Sequence, residues 1–235
     1  TYFREKLILK QHKKKTFKIS LIALLKNTLR KPLSYFNLTI VRLDMHDEMV
    51  RLLKNDDPNL EDEFKIIIKK LESIFGSIQV EPAYIVYTLT KYISDKNIDG
   101  DFVECGVFQG KMVAVMIETL ALRKDFRRNI FLCDTFEGMT EPSVKDYQSV
   151  TGQKMKKGDM FCSLESVKDK IFSLSYKKDK IFFKKGDIKE TLVQNNMPEK
   201  ISLLRLDTDF YESSLIELER MYDLVSANGF IIYDD

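Results

Sequence analysis

A chain of 235 residues, 44% of them apolar, is long enough for one large domain, or one domain with an arm, around a sizeable core. The 38 Lys and Arg against 36 Asp and Glu leave a net charge of +2, which excludes a chain-wide polyanion surface and with it nucleic acid as a partner. No apolar run reaches the ~18 residues of a membrane-spanning helix, and Cys105, Cys133 and Cys162 lack metal-ligand spacing, which points to buried thiols in a reducing, cytoplasmic setting.

Residues 1–56 read as a basic arm, in which Arg4, Lys6, Lys10 and the following lysines face a single early acid, Glu5. Ile19, Ile22, Leu25 and Leu29 recur on one helical face, with Lys18, Lys26 and Arg30 off it. Such a helix packs on its own domain or on a second copy of the chain, giving a homo-oligomer. The other reading is peripheral contact with an anionic membrane surface. Residues 36–43 read as a strand or an extended lid segment. His12 and His46, the two histidines, read as surface residues. Residues 57–100 read as a helical cap. One helix covers 60–75 with Phe64, Ile67, Ile68 and Leu71 inward, and another covers 81–95 with Pro82 at the first helical position.

Residues 101–235 read as an α/β core. Strands are predicted at 101–105, 129–133, 180–184, 201–206 and 230–233, and helices at 110–122, 164–174, 188–195 and 213–226. In the last helix Leu215, Leu218, Met221, Tyr222 and Val225 share one face. The long polar stretch 136–163 is a candidate lid or substrate loop. This alternation implies a parallel, Rossmann-like sheet with helices on both faces, and ligands in such sheets bind beyond the carboxyl ends of the strands. The chain starts on Thr1 and stops on Asp235 as a strand delivers its acids, so both ends look cut and further C-terminal strands are expected.

The motifs lie at that edge. Asp207, Asp234 and Asp235 end two apolar runs joined by a helix, which should lie parallel and close. They are either strand-end acids facing solvent or the carboxylates of a hard divalent cation. Glu104-Cys-Gly106-Val-Phe-Gln-Gly110 joins the first strand to its helix without the G-x-G-x-x-G dinucleotide pattern. Glu104 before Gly106 suits a cationic ligand rather than a pyrophosphate, and Asp134 is placed for a ribose diol. S-adenosylmethionine, with an amino group, a sulfonium and a ribose, matches both. Gly186-Asp187 after the third strand can frame its adenine.

These blocks, with Cys133-Asp-Thr-Phe-Glu-Gly138, Leu204-Arg-Leu-Asp-Thr-Asp-Phe-Tyr-Glu-Ser213 and Gly229-Phe-Ile-Ile-Tyr-Asp-Asp235, resemble in order and spacing the macrocin O-methyltransferase (TylF-type) family, from about Glu81 onward. The resemblance implies a class I methyltransferase fold, S-adenosylmethionine as donor, Mg²⁺, and a small-molecule or glycan acceptor methylated on a sugar hydroxyl. It implies Asp207, Asp234 and Asp235 as metal ligands, Asp209 as general base, and Glu104, Gly106 and Asp134 at the cofactor, beside which the glycine loop adds Gly110 and the turn after the third strand adds Gly186 and Asp187. Family members also carry a histidine near the acceptor, and this chain has none after His46. Two rival readings are a catechol-type O-methyltransferase and a methyltransferase-like binding module without catalysis.

Overall fold

The structure, a computed structural model, describes residues 39–42, 61–143, 146, 155–192 and 197–234. Most of the basic arm, both histidines and Asp235 lie outside the described residues. Among the described residues six strands form one sheet in the order β1-β6-β5-β2-β3-β4: β1 Thr39–Arg42, β2 Asp101–Cys105, β3 Ile130–Asp134, β4 Ile181–Lys185, β5 Ile201–Leu206 and β6 Val225–Tyr233. Every pairing is parallel. The predicted strand-or-lid segment is thus an edge strand, β1, in register with Phe230 to Tyr233. The helices are α1 Asp62–Phe75, α2 Val80–Asp95, α3 Lys111–Leu122, α4 Leu164–Phe172, α5 Ile188–Thr191 and α6 Tyr211–Met221.

Strand alternation sorts the core into two halves. Phe102, Ile130, Leu132, Leu203 and Ile232 face one way and pack with side chains of α1, α2, α3 and α4. Val103, Cys105, Phe131, Cys133, Leu204, Leu206 and Ile231 face the other, against Ile188 and Met221. Helices therefore cover both faces, as parallel strands require. α1 and α2 bury Phe64, Ile67, Leu71, Ala83, Val86 and Tyr87 in the first cluster, so these two helices share the core of the sheet. α3 is buried without a break from Met112 to Leu120 because α1, α2 and the sheet enclose it. The three cysteines are free thiols, and Cys105 and Cys133 are buried.

Three predicted elements differ. The helix expected over 213–226 spans Tyr211–Met221, followed by a 3₁₀ turn, Tyr222–Leu224. Its buried residues are Ser213, Ser214, Glu217 and Met221, while Leu218 and Tyr222 of the predicted face pack against the core and Leu215 is half-buried. The strand expected at 230–233 begins at Val225 and turns through Asn228, whose φ is 66°. The helix expected over 188–195 is one turn ending at Thr191, with 193–196 outside the described residues.

Candidate active site

A cavity of about 450 Å³ opens at the carboxyl ends of β2, β3, β4, β5 and β6. Glu104, Gly106, Asp134, Gly186, Asp187, Asp207, Asp209 and Asp234 all line it, so one site gathers candidate residues spread over 131 positions of sequence (234 − 104 + 1). Gly110 does not line it. With φ 81° it caps α3, and a Cβ there would press on Val167 and Ile171 of α4 at 3.2–3.3 Å. Asp187 caps α5 by accepting from the Lys189 amide at 2.8 Å.

The Gly106 loop is built by Asp134. One carboxylate oxygen accepts the Val107 and Phe108 amides at 2.7 and 2.9 Å, and the other accepts the Phe136 amide at 2.7 Å. A carboxylate has about four acceptor sites, so Asp134 shapes the loop and still presents acceptor capacity to the cavity. Asp134→Ala should weaken S-adenosylhomocysteine binding by about 1–3 kcal/mol, the scale of a lost charge-assisted bond. Calorimetry that finds unchanged affinity in a folded variant would remove Asp134 from the ligand site.

At the centre is a charge not anticipated from the sequence. Arg205 and Glu104 are register partners on β5 and β2, both buried and on the same face. Arg205 Nη1 donates to Glu104 Oε1 at 2.5 Å and contacts Asp207 Oδ2 at 2.8 Å, while Nη2 donates to Asp234 Oδ2. The signal was available: a charge inside the apolar run Leu203 to Leu206, in phase with an acid on the neighbouring strand. Glu104 Oε2 and Arg205 Nε are buried and have no hydrogen-bond partner among the described residues. Both residues line the cavity. A buried acceptor left open suits a cationic ligand group, because an unmatched buried polar atom carries a desolvation cost that a ligand can relieve.

Burial pushes the Glu104 carboxyl up to about 7, opposed by the Arg205 charge and reinforced by Asp207. This pKa lies above the ordinary 4.5, so the folded state keeps a proton that the unfolded chain releases. The stability this contributes is complete below about 4.5 and is lost as pH rises through about 7. A cationic ligand needs the ionised form. S-adenosylhomocysteine affinity should therefore rise with pH up to about 7 and level off above it, and Glu104→Gln should flatten that profile. A pH-independent wild-type affinity would contradict the assignment.

β5 ends at Leu206, and the next turn carries the remaining candidates. Asp209 is exposed and left-handed, with φ 63°. Holding a non-glycine residue there costs on the order of 1–3 kcal/mol. Asp207 and Asp209 are thus not alternate residues of a continuing strand. Thr208 Oγ1 is buried without a partner among the described residues. Asp146, from the long loop, accepts the Tyr211 amide at 2.7 Å and so caps α6 just beyond Asp209. Among the described residues no cluster of three or more acids, histidines or cysteines is arranged to hold a metal. Asp207 and Asp234 supply two carboxylates, and Asp235 lies outside the described residues.

A parallel sheet with helices on both faces and a glycine loop, a strand-end acid and an acidic turn at one edge define the Rossmann-like, class I methyltransferase fold. The solved structure of the O-methyltransferase NovP matches with a TM-score of 0.62 over 73% of this chain and 82% of that one, at 21% identity. That of the calicheamicin methyltransferase CalS11 matches with a TM-score of 0.54 over 96% and 84%, at 15% identity. At these identities the likeness is one of fold. Residues 85–235 match the macrocin-O-methyltransferase (TylF) family, and the chain belongs to it. It is 29% identical over 151 residues to the 8-demethyl-8-(2,3-dimethoxy-alpha-L-rhamnosyl)-tetracenomycin-C 4'-O-methyltransferase of Streptomyces olivaceus, covering 63% of this chain and 57% of that protein. It is 27% identical over 141 residues to the demethyldecarbamoylnovobiocin O-methyltransferase of Streptomyces niveus, covering 59% and 53%. The chain thus spans just over half the length of these curated relatives.

Proposed function

We propose that the chain is an S-adenosylmethionine- and Mg²⁺-dependent O-methyltransferase that acts on a sugar hydroxyl of a glycoside, polysaccharide or natural product. The observation that carries this reading is the open, buried Glu104 oxygen in a cavity that also holds Asp134 and the left-handed Asp209. Membership of the TylF family supports it, as do relatives named for methylating rhamnosyl-tetracenomycin and novobiocin precursors.

Glu104 Oε2 would receive the amino group of the cofactor, Asp134 its ribose, and the Gly186-Asp187 turn its adenine. The cofactor supplies a methyl group made electrophilic by a sulfonium. Asp207 and Asp234, with Asp235, offer hard carboxylate oxygens of the kind Mg²⁺ takes. With Glu104 turned to the cofactor, Asp207 and Asp234 against Arg205 leave a formal −1 (two negative, one positive), to which Asp235 would add a second negative charge for a divalent cation. Such a cation lowers the pKa of a hydroxyl bound to it. Asp209 would accept the proton of the attacking hydroxyl, and the cofactor would supply its methyl group to that oxygen and leave as the neutral thioether. Gly106 and the Asp134-braced loop would hold the donor, and proximity of donor and acceptor would supply much of the rate.

An acceptor screen tests this reading. Sugars and glycosides against catechols, each with Mg²⁺ or chelator, should give methylation of a sugar hydroxyl only with metal. Transfer to catechols alone would replace the acceptor class. In this proposal the basic arm packs on its own domain or on a second copy of the chain; if it instead contacts an anionic membrane, the protein should sediment with anionic vesicles and be released by salt. Equal recovery with neutral vesicles would remove the membrane contact.

A further inference from the structure

One positive side chain ties three acids of the site together. Arg205 is 4% exposed. It reaches Glu104 on β2, Asp207 just past its own strand, and Asp234 just past β6. Alternation along β2, β5 and β6 puts all four on one face of the sheet at its carboxyl edge. The three strand ends are therefore tied together by one planar fork. A guanidinium presents five donors in fixed directions, so each carboxylate it binds is held in one orientation.

Three carboxylates this close repel one another. Without a central cation they would splay apart or take up protons. We infer that Arg205 is the positioning residue of this site, holding Asp207 and Asp234 in the orientations from which both line the cavity and can share a divalent cation. The inference rests on the proposed reading of a cation at those two residues. It assigns Arg205 the part that hydrogen-bonded partners of metal ligands play elsewhere, whose loss weakens metal affinity about 10–100-fold. Lysine is no substitute, because a single ammonium on a flexible stem cannot span three strand ends in fixed geometry.

The opposite outcome is physically distinct. If Arg205 merely competed with the cation for the carboxylates, its removal would tighten metal binding by freeing negative charge. The sign of the change therefore decides the matter.

The test uses Mn²⁺ as the probe on the full chain, with S-adenosylhomocysteine present, in wild type, Arg205→Lys and Arg205→Gln. Calorimetry should give Mn²⁺ affinities about 10–100-fold weaker in both variants, with melting curves confirming that they are folded. Unchanged or tighter Mn²⁺ binding in a folded variant, with binding intact in wild type, overturns the inference and leaves the cation reading standing. No Mn²⁺ binding in wild type overturns both. If neither variant folds, wild type alone decides. Substoichiometric Mn²⁺ should broaden the Nε–H resonance of Arg205, assigned through its side chain. It should spare that of Arg128, which is bound to Asp125 and Gly100 at the amino end of the sheet. Equal behaviour of the two resonances overturns the inference.

Discussion

Asp209→Asn should lower kcat by about 10²–10⁴ while leaving metal affinity near wild type, the scale of a lost general base. Asparagine keeps the shape and one oxygen and loses the charge and the basicity. It also tolerates the left-handed backbone of this position, φ 63°, so the fold is not the variable. Asp207→Asn should behave differently. It touches Arg205 at 2.8 Å and closes β5, so its loss should raise the Mg²⁺ concentration for half activity, with partial rescue by excess metal. Steady-state kinetics across a Mg²⁺ titration separates the two. Rescue of the Asp209 variant by excess Mg²⁺ would make Asp209 a ligand and move the base elsewhere.

Gly106→Ala should cost about 2–5 kcal/mol of stability and abolish measurable binding of S-adenosylhomocysteine. Its φ is 80°, where an L-residue costs about 1–2 kcal/mol. A Cβ there would also stand 2.5 Å from the Asp207 carbonyl carbon and closer still to its oxygen, so overpacking adds about 1–3 kcal/mol. The clash falls on backbone, between the ends of β2 and β5, and cannot be relieved by a rotamer. It would push the Glu104 loop away from Asp207. Gly158→Ala is the control: φ is 88°, but nothing lies within 4 Å of the added Cβ, so only the backbone cost applies. Melting temperatures and calorimetry read both. Equal losses in the two variants would mean that the contact with Asp207 is unimportant.

The strands that place the site were legible because their apolar runs are short, buried and closed by acids. The predicted 101–105 and 201–206 match β2 and β5 residue for residue. Periodicity failed where helix passes into strand. Leu224 and Val225 continue the apolar spacing of α6, yet Val225 already pairs with Ile201 in β6. It found the face of α6 that meets the sheet, where Met221 joins the core and Leu218 and Tyr222 pack against it, but not Glu217, which is buried as well. A burial preference cannot foresee a charge inside the core, and the same blindness hid Arg205. Pairing between strands distant in sequence decides its role: Glu104 and Arg205 become neighbours only through the β2–β5 register. Asp209 was recognised from its motif and not from its geometry: β5 ends at Leu206, and the left-handed backbone of Asp209 is not that of a continuing strand. Gly110 joined the cofactor candidates through its place in the glycine loop, while its contacts are with α4.

The most direct test of the central claim follows the methyl carbon. The chain is incubated with S-adenosylmethionine labelled with carbon-13 in the methyl group, a glycoside acceptor from the screen, and Mg²⁺. The labelled methyl should appear as an ether on one sugar oxygen, in step with S-adenosylhomocysteine. It should be lost with chelator and nearly lost in Asp209→Asn. Cofactor that binds and stays intact against every acceptor, with or without metal, would contradict catalysis and leave a methyltransferase-like binding module.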